Sequence, residues 1–136
     1  MSQIVLTVLG DRFALCRLPA VAAVPSWVMH ATAFLTVSRT PTELSIVADE
    51  GAVPMELDAR RGYRALRVEG PLPLELVGVL AALAVPLAAA GIPIFPIATY
   101  DADYLFVAGT ELERAVAALV AAGHCVLEPT KPGGCP

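Results

Sequence analysis

The chain has 136 residues, 57 % of them hydrophobic and 16 % charged, with a formal net charge of −4. That length holds one ordinary domain or two very small ones, and the apolar excess excludes a disordered chain. Nine basic residues, with no run longer than Arg60-Arg61, exclude the electrostatic footprint of a nucleic-acid binder.

The opening MSQIVLTVLGDRF carries no basic segment ahead of its apolar run, so no export signal is expected. Strands are predicted at 3–9 and 12–18, a short helical piece around Val24–Met29, and strands at 33–38 and 43–48. GAVPMELDARRG (51–62) reads as a linker. YRALRV (63–68) is rich in strand formers and is broken by EGPLP. From Leu74 to Ala90 apolar residues recur at helical spacing, with Pro86 removing one amide and Gly91 placed to cap the end. Strands at 92–98 and 103–108 follow, then an amphipathic helix at 111–123 stopped by Gly123, and a last short strand in CVLEP. The tail KPGGCP is expected to be mobile. Leu76 to Tyr100 has no charge and exceeds the ~20 residues that cross a bilayer, but Pro86, Gly91, Pro93 and Pro96 interrupt it. It reads as a buried helix followed by a buried strand, with no membrane span. Cys16, Cys125 and Cys135 fit no metal spacing and are expected to be reduced thiols in a cytoplasmic protein.

A shift of 60 residues lays FLTVSRTPTELSIVADE (34–50) over IFPIATYDADYLFVAGT (94–110), with Glu43 over Asp103. The same shift lays IVLTVLG (4–10) over RALRVEG (64–70). The second half then reads as βαββαβ, the ferredoxin-like plan of an α+β protein, and the first half as a truncated copy of it. The expected organisation is a degenerate unit at 1–50, a linker at 51–62, a complete domain at 63–128 and a flexible tail at 129–136.

The stretch ATYDADY (98–104) carries the chemistry. An α-amino acid needs donors for its carboxylate and acceptors for its ammonium group. The loop before the helix at 74 offers the amides of Gly70, Leu72, Leu74 and Glu75 at a helix N-terminus. Asp103 is an acceptor for an ammonium or guanidinium group, Tyr100 a surface for stacking, and Thr99 a donor or acceptor. Asp101 and Asp103 equally suit a plain turn. DAD resembles the Asp-x-Asp of metal-dependent sugar transferases, but no nucleotide-binding fold accompanies it. His30 and His124 lie far apart and read as packed or surface residues. Ser26, Ser38 and Ser45 lack a nucleophile elbow, and the ten glycines form no phosphate loop. No catalytic residue, metal site or cofactor is expected. Trp27, Met29 and Phe34 read as core. The small residues at 77–90 suit close packing on a sheet, or helix contacts in a dimer.

VEGPLPLELVGVLAALAVPLAAAGIPIFPIATYDADYLFVAGTELERAVAAL resembles the ACT domain, a small ferredoxin-like module that binds amino acids. With SRTPTELSIVADEG upstream, it is similar to the paired ACT domains of CASTOR-type arginine sensors and their short bacterial relatives. The resemblance implies two ACT units side by side with a shared antiparallel sheet, and an amino-acid sensor without catalytic activity. Its ligand would lie between units, near the 98–104 hairpin and the 69–78 loop. Thr99, Tyr100 and Asp103 match the family's hairpin pattern, with Ala98 in place of its leading serine, and Gly78 matches a glycine that lets a ligand approach the backbone. The implied ligand-binding set is Gly70, Leu72, Gly78, Thr99, Tyr100 and Asp103. The chain has half the length of the animal sensors, so a four-unit arrangement would come from a homodimer. The other reading is a protein-interaction module whose pocket is vestigial.

Overall fold

The computed structural model describes residues 3–70 and 77–128. The chain divides into two compact units: Asp11–Tyr63, and Met1–Gly10 together with Arg64–Pro136. The first is inserted in sequence within the second, so they are called here the inserted unit and the split unit. This differs from the expected 1–50, 51–62 and 63–128. The first strand joins the C-terminal residues, and Ala59–Gly62 of the expected linker belong to a ten-residue strand.

In the inserted unit, β2 (Phe13–Leu18), β3 (Leu35–Arg39), β4 (Leu44–Asp49) and the first half of β5 (Ala59–Val68) stand in the order β3–β4–β2–β5. All three pairings are antiparallel. That is the strand order of a βαββαβ plan, with 3₁₀ turns at Ser26–His30 and Glu50–Ala52 where helices would stand. Arg61 holds the second of these regions, donating from Nη2 to the Pro54 and Leu57 carbonyls at 2.8 and 2.9 Å. Cys16, Val28, Leu44, Ile46 and Val53 form the core. Trp27 packs on it and Phe34 is buried, but Met29 is 79 % exposed, because the 3₁₀ turn presents only Val28 inward.

The split unit holds β1 (Val5–Val8), the rest of β5, α1 (Val79–Ala89), β6 (Phe95–Ala98), β7 (Asp103–Ala108), α2 (Leu112–Ala121) and β8 (Cys125–Leu127). Its sheet runs β6–β7–β5–β1–β8. β1 lies antiparallel to β5, with Leu6 opposite Val68, and parallel to β8, with Val5 opposite Cys125. The fourth place in the βαββαβ order is thus taken by the N-terminal strand, and β8 adds outside it. Leu6 and Val8 are buried because they face the core under the two helices, while β1 is flanked by strands on both edges. Leu6, Leu66, Leu83, Leu87, Leu105 and Leu119 are wholly buried between this sheet and the two helices, each burial stabilising by ~1.5–3 kcal/mol.

α1 begins at Val79 because Gly78 takes a left-handed φ of +85°; the first turn expected at Leu74 to Leu76 lies outside the described residues. Both helices stop on the same device. Gly91 and Gly123 have φ of +73° and +97°, and the N–H groups of Ile92 and His124 return to the Leu87 and Leu119 carbonyls at 3.0 Å. Pro86 leaves the Ala82 carbonyl without its helical donor, and His124 fills the gap. Its Nε2 lies 3.3 Å from that oxygen, while Nδ1 accepts the Ile4 N–H at 3.2 Å. These partners select the neutral tautomer with hydrogen on Nε2. His124 therefore ties β1 to α1. Cys16 is a free, buried thiol. Cys135 and the rest of the tail lie outside the described residues.

The internal repeat is real in geometry, with a different offset. β4 begins at Leu44 and β7 at Asp103, and the 3₁₀ turns after them begin at Glu50 and Gly109, an offset of 59 (103 minus 44). The turns before them match as well. Thr40 N–H donates to the Glu43 carbonyl at 2.9 Å, and Thr99 N–H to that of Ala102 at 2.8 Å. In each turn the threonine hydroxyl donates to the same carbonyl and accepts the amide of its residue. A register of 60 paired Glu43 with Asp103; the geometry pairs Leu44 with Asp103 and Glu43 with Ala102. One residue of slip moves a strand side chain to the other face of its sheet.

Candidate functional site

Side chains alternate across a strand, so Leu66 and Val68 of β5 and Leu105 and Val107 of β7 face the helices. Arg67 and Tyr104 therefore face the other way, and so does Thr7, which sits directly opposite Arg67. On this second face Thr7 Oγ1 donates to Glu69 Oε1, and Arg67 Nη2 reaches the same oxygen at 3.1 Å. The Thr7 hydrogen bond, aided by Arg67, holds the Glu69 carboxyl below its ordinary range despite partial burial. Arg67 in turn is held more firmly protonated, by Glu69 first and then by Tyr104, against the pull of desolvation. Both ions are about two-fifths exposed, so the pair contributes little to stability. What it supplies is a fixed pair of opposite charges.

A cleft of about 570 Å³ opens beside this pair. It is lined by Arg67, Val68, Glu69 and Gly70 at the end of β5, and by Thr99, Tyr100, Asp101, Ala102 and Tyr104 of the β6–β7 hairpin. The hairpin stands at the rim because Ala98 pairs with Asp103 and leaves four residues for the turn. Thr99 spends its hydroxyl closing that turn (2.9 Å to the Ala102 carbonyl, 3.3 Å from the Ala102 N–H). The Tyr100 ring is 81 % exposed.

Of the residues expected from sequence, Gly70, Thr99 and Tyr100 line the cleft. Asp103 does not: it shares the helix-side face of β7 with Leu105, and the acid at the cleft is Asp101. Gly78 is not among the lining residues either, serving as the left-handed entry to α1. Leu72 lies outside the described residues. Arg67, Glu69, Asp101 and Tyr104 were not singled out as ligands from the sequence. The alternation in RALRVE held the signal for the first two, since it puts Arg67 and Glu69 on one face and Leu66 and Val68 on the other. Among the described residues no group of three His, Cys, Asp or Glu could hold a metal ion, and no helix is long and apolar enough to cross a membrane.

A family model described as an ACT domain matches residues 58–121, which span β5 through α2. Residues 58–121 are therefore an ACT-type segment of this chain. A second model, of an N-terminal domain, matches residues 11–56, within the inserted unit. Atu0741 from Agrobacterium tumefaciens is similar at 30 % identity over 96 % of this chain and 97 % of its own, with a TM-score of 0.88. VC0802 from Vibrio cholerae, a protein of unknown function and possible transport role, is similar at 22 % identity over 88 % of this chain and 90 % of its own, with a TM-score of 0.71. The regulatory subunit of aspartate kinase from Thermus thermophilus shares the fold at 15 % identity, over 85 % of this chain and 96 % of its own, with a TM-score of 0.56. No curated protein matches the chain by sequence.

Proposed function

We propose that this protein is a regulatory sensor without catalytic activity that binds an amino acid in the cleft between the end of β5 and the β6–β7 hairpin. The observation that carries the reading is the fixed pair of opposite charges at an opening of about 570 Å³, a size within the ~300–1,000 Å³ of small-molecule sites. A zwitterion meets complementary groups there. Its carboxylate faces Arg67 and the Gly70 backbone, and its ammonium group faces Glu69 and Asp101, through charge-assisted hydrogen bonds. Tyr100 covers the ligand side chain, and Thr99 acts through the turn it closes. Leu72, Gly78 and Asp103 complete the set that the resemblance implies, with no side-chain role for Asp103 in this arrangement. The ACT-type segment supports the amino-acid class, and the fold is shared with regulatory subunits of aspartate kinase. Aspartokinase III of E. coli, which shares the fold at 13 % identity, has been solved with aspartate bound.

The test is thermal unfolding of the protein with each of the twenty amino acids at millimolar concentration. A ligand at 100 times its dissociation constant stabilises by about 2.7 kcal/mol, which is several degrees in a chain of this size. Tyr100→Ala and Asp101→Asn, both at exposed positions, should leave the ligand-free Tm in place and remove most of the shift. No shift with any amino acid would sink the reading and leave the hairpin a turn on a protein-interaction module.

A further inference from the structure

The acid at the end of β5 is held from the neighbouring strand. Thr7 of β1 stands opposite Arg67, which sets Val5 against Glu69, and the Val5 carbonyl accepts the Glu69 N–H at 2.8 Å. Thr7 is therefore the diagonal neighbour of Glu69 on one face of the sheet, within reach of a long side chain. Its β-branched side chain has few rotamers in a strand, and its hydroxyl donates to Glu69 Oε1. Arg67 Nη2 ends on that same oxygen. Among the described residues, Glu69 Oε2 accepts no bond. Thr7 itself does not line the cleft.

We infer that Thr7 is the positioning residue of the cleft: its hydroxyl fixes the Glu69 carboxylate so that Oε2 meets the ammonium group of the ligand. The inference rests on the amino-acid reading above and names the group that sets the affinity of that site. Thr7 differs from Arg67 in being neutral. It orients the carboxylate without cancelling its charge, whereas Arg67 is also wanted by the carboxylate of the amino acid. When a bound amino acid draws Arg67 toward itself, Thr7 is the donor that keeps Glu69 in place and ionised. The Glu69 side chain is 36 % exposed. Without Thr7 it is free to turn, and binding has to stop that motion.

The test compares the wild type with Thr7→Val and Thr7→Ala, which remove the donor, and with Thr7→Ser, which keeps it. Valine suits a strand and preserves the shape of threonine, so Thr7→Val should stay folded by far-UV circular dichroism and Tm. Arg67, Asp101 and Tyr104, the other ionisable groups at the cleft, are kept in every variant. Carbon-detected NMR of the ligand-free proteins follows the Glu69 carboxyl. Its midpoint should lie below the ordinary ~4.3 in the wild type and Thr7→Ser, and rise in Thr7→Val and Thr7→Ala. Calorimetric titration with each of the twenty amino acids reads binding. The dissociation constant should rise about tenfold in Thr7→Val and return to within about threefold of wild type in Thr7→Ser. A Thr7→Val protein that binds as tightly as the wild type, or titrates Glu69 at the wild-type midpoint, overturns this inference and leaves the amino-acid reading standing. A wild type that binds none of the twenty removes both together.

Discussion

Asp49, at the end of β4, gathers most of the loop ahead of β3. Its carboxylate accepts the backbone N–H groups of Thr32, Ala33 and Phe34 at 2.9–3.2 Å and the Thr32 hydroxyl at 3.2 Å. Burial alone would raise its pKa; the three backbone bonds and the Thr32 hydroxyl outweigh burial and lower it. A depressed folded pKa means that this stabilisation is present above the unfolded value of ~3.9 and is lost as pH falls through the lower folded value. Asp49→Asn turns an amide NH₂ toward donors and should cost about 1 kcal/mol at pH 7. Tm measured from pH 7 to pH 2.5 should show the wild-type and variant curves converging below about pH 4. A constant gap across that range would mean that the charge of Asp49 plays no part.

At the scale of the element, α1 shows how a local defect becomes a tertiary link. Pro86 frees the Ala82 carbonyl, and the buried His124 ring answers it while accepting from Ile4 on its other nitrogen. His124→Phe leaves two buried backbone groups unpaired and should cost about 2–4 kcal/mol. Pro86→Ala restores a helical N–H to the Ala82 carbonyl, so the double variant should recover part of that loss. Urea unfolding of the four proteins gives the coupling energy, and strict additivity would show that the two residues do not share that carbonyl. The helix itself was legible in the sequence, because four-residue apolar spacing and the Gly91 stop are local signals. The hairpin was legible too, but its register was not. Apolar residues run unbroken through 105–107, which blurs the difference between an alignment of 60 and one of 59; the strand starts, the 3₁₀ turns and the Thr40 and Thr99 hydrogen bonds decide for 59. Asp103 entered the expected site by matching the family's hairpin pattern, whereas the residue of this hairpin that lines the cleft with Thr99 and Tyr100 is Asp101.

For the molecule as a whole, the sequence concealed the placement of β1. Strand periodicity says which face is buried but not which strand lies alongside, and Leu6 pairs with Val68 across more than sixty positions of chain. Residues 58–121 contain neither β1 nor β8, so a fragment cut at those bounds leaves β5 without the strand that carries Leu6 and Val8. We expect that fragment to lack a cooperative melt. A permuted chain of residues 64–128, joined through a crossover linker of about a dozen residues to residues 3–10, should regain it. Calorimetry compares the two directly, and a cooperative transition in the bare fragment would contradict the central role of β1.

The placement of β1 also sets a timetable. β1 is made early, while its partners β5 and β8 arrive about 60 and about 120 residues later, a wait of roughly 3–12 and 6–24 seconds at ordinary rates of synthesis. The inserted unit, made in between, has all its strands in hand by Tyr63 and is free to fold first. The apolar VLTV segment then waits for a sheet that is complete only once β8 has been made. Slower synthesis therefore lengthens the exposure of that segment to other chains.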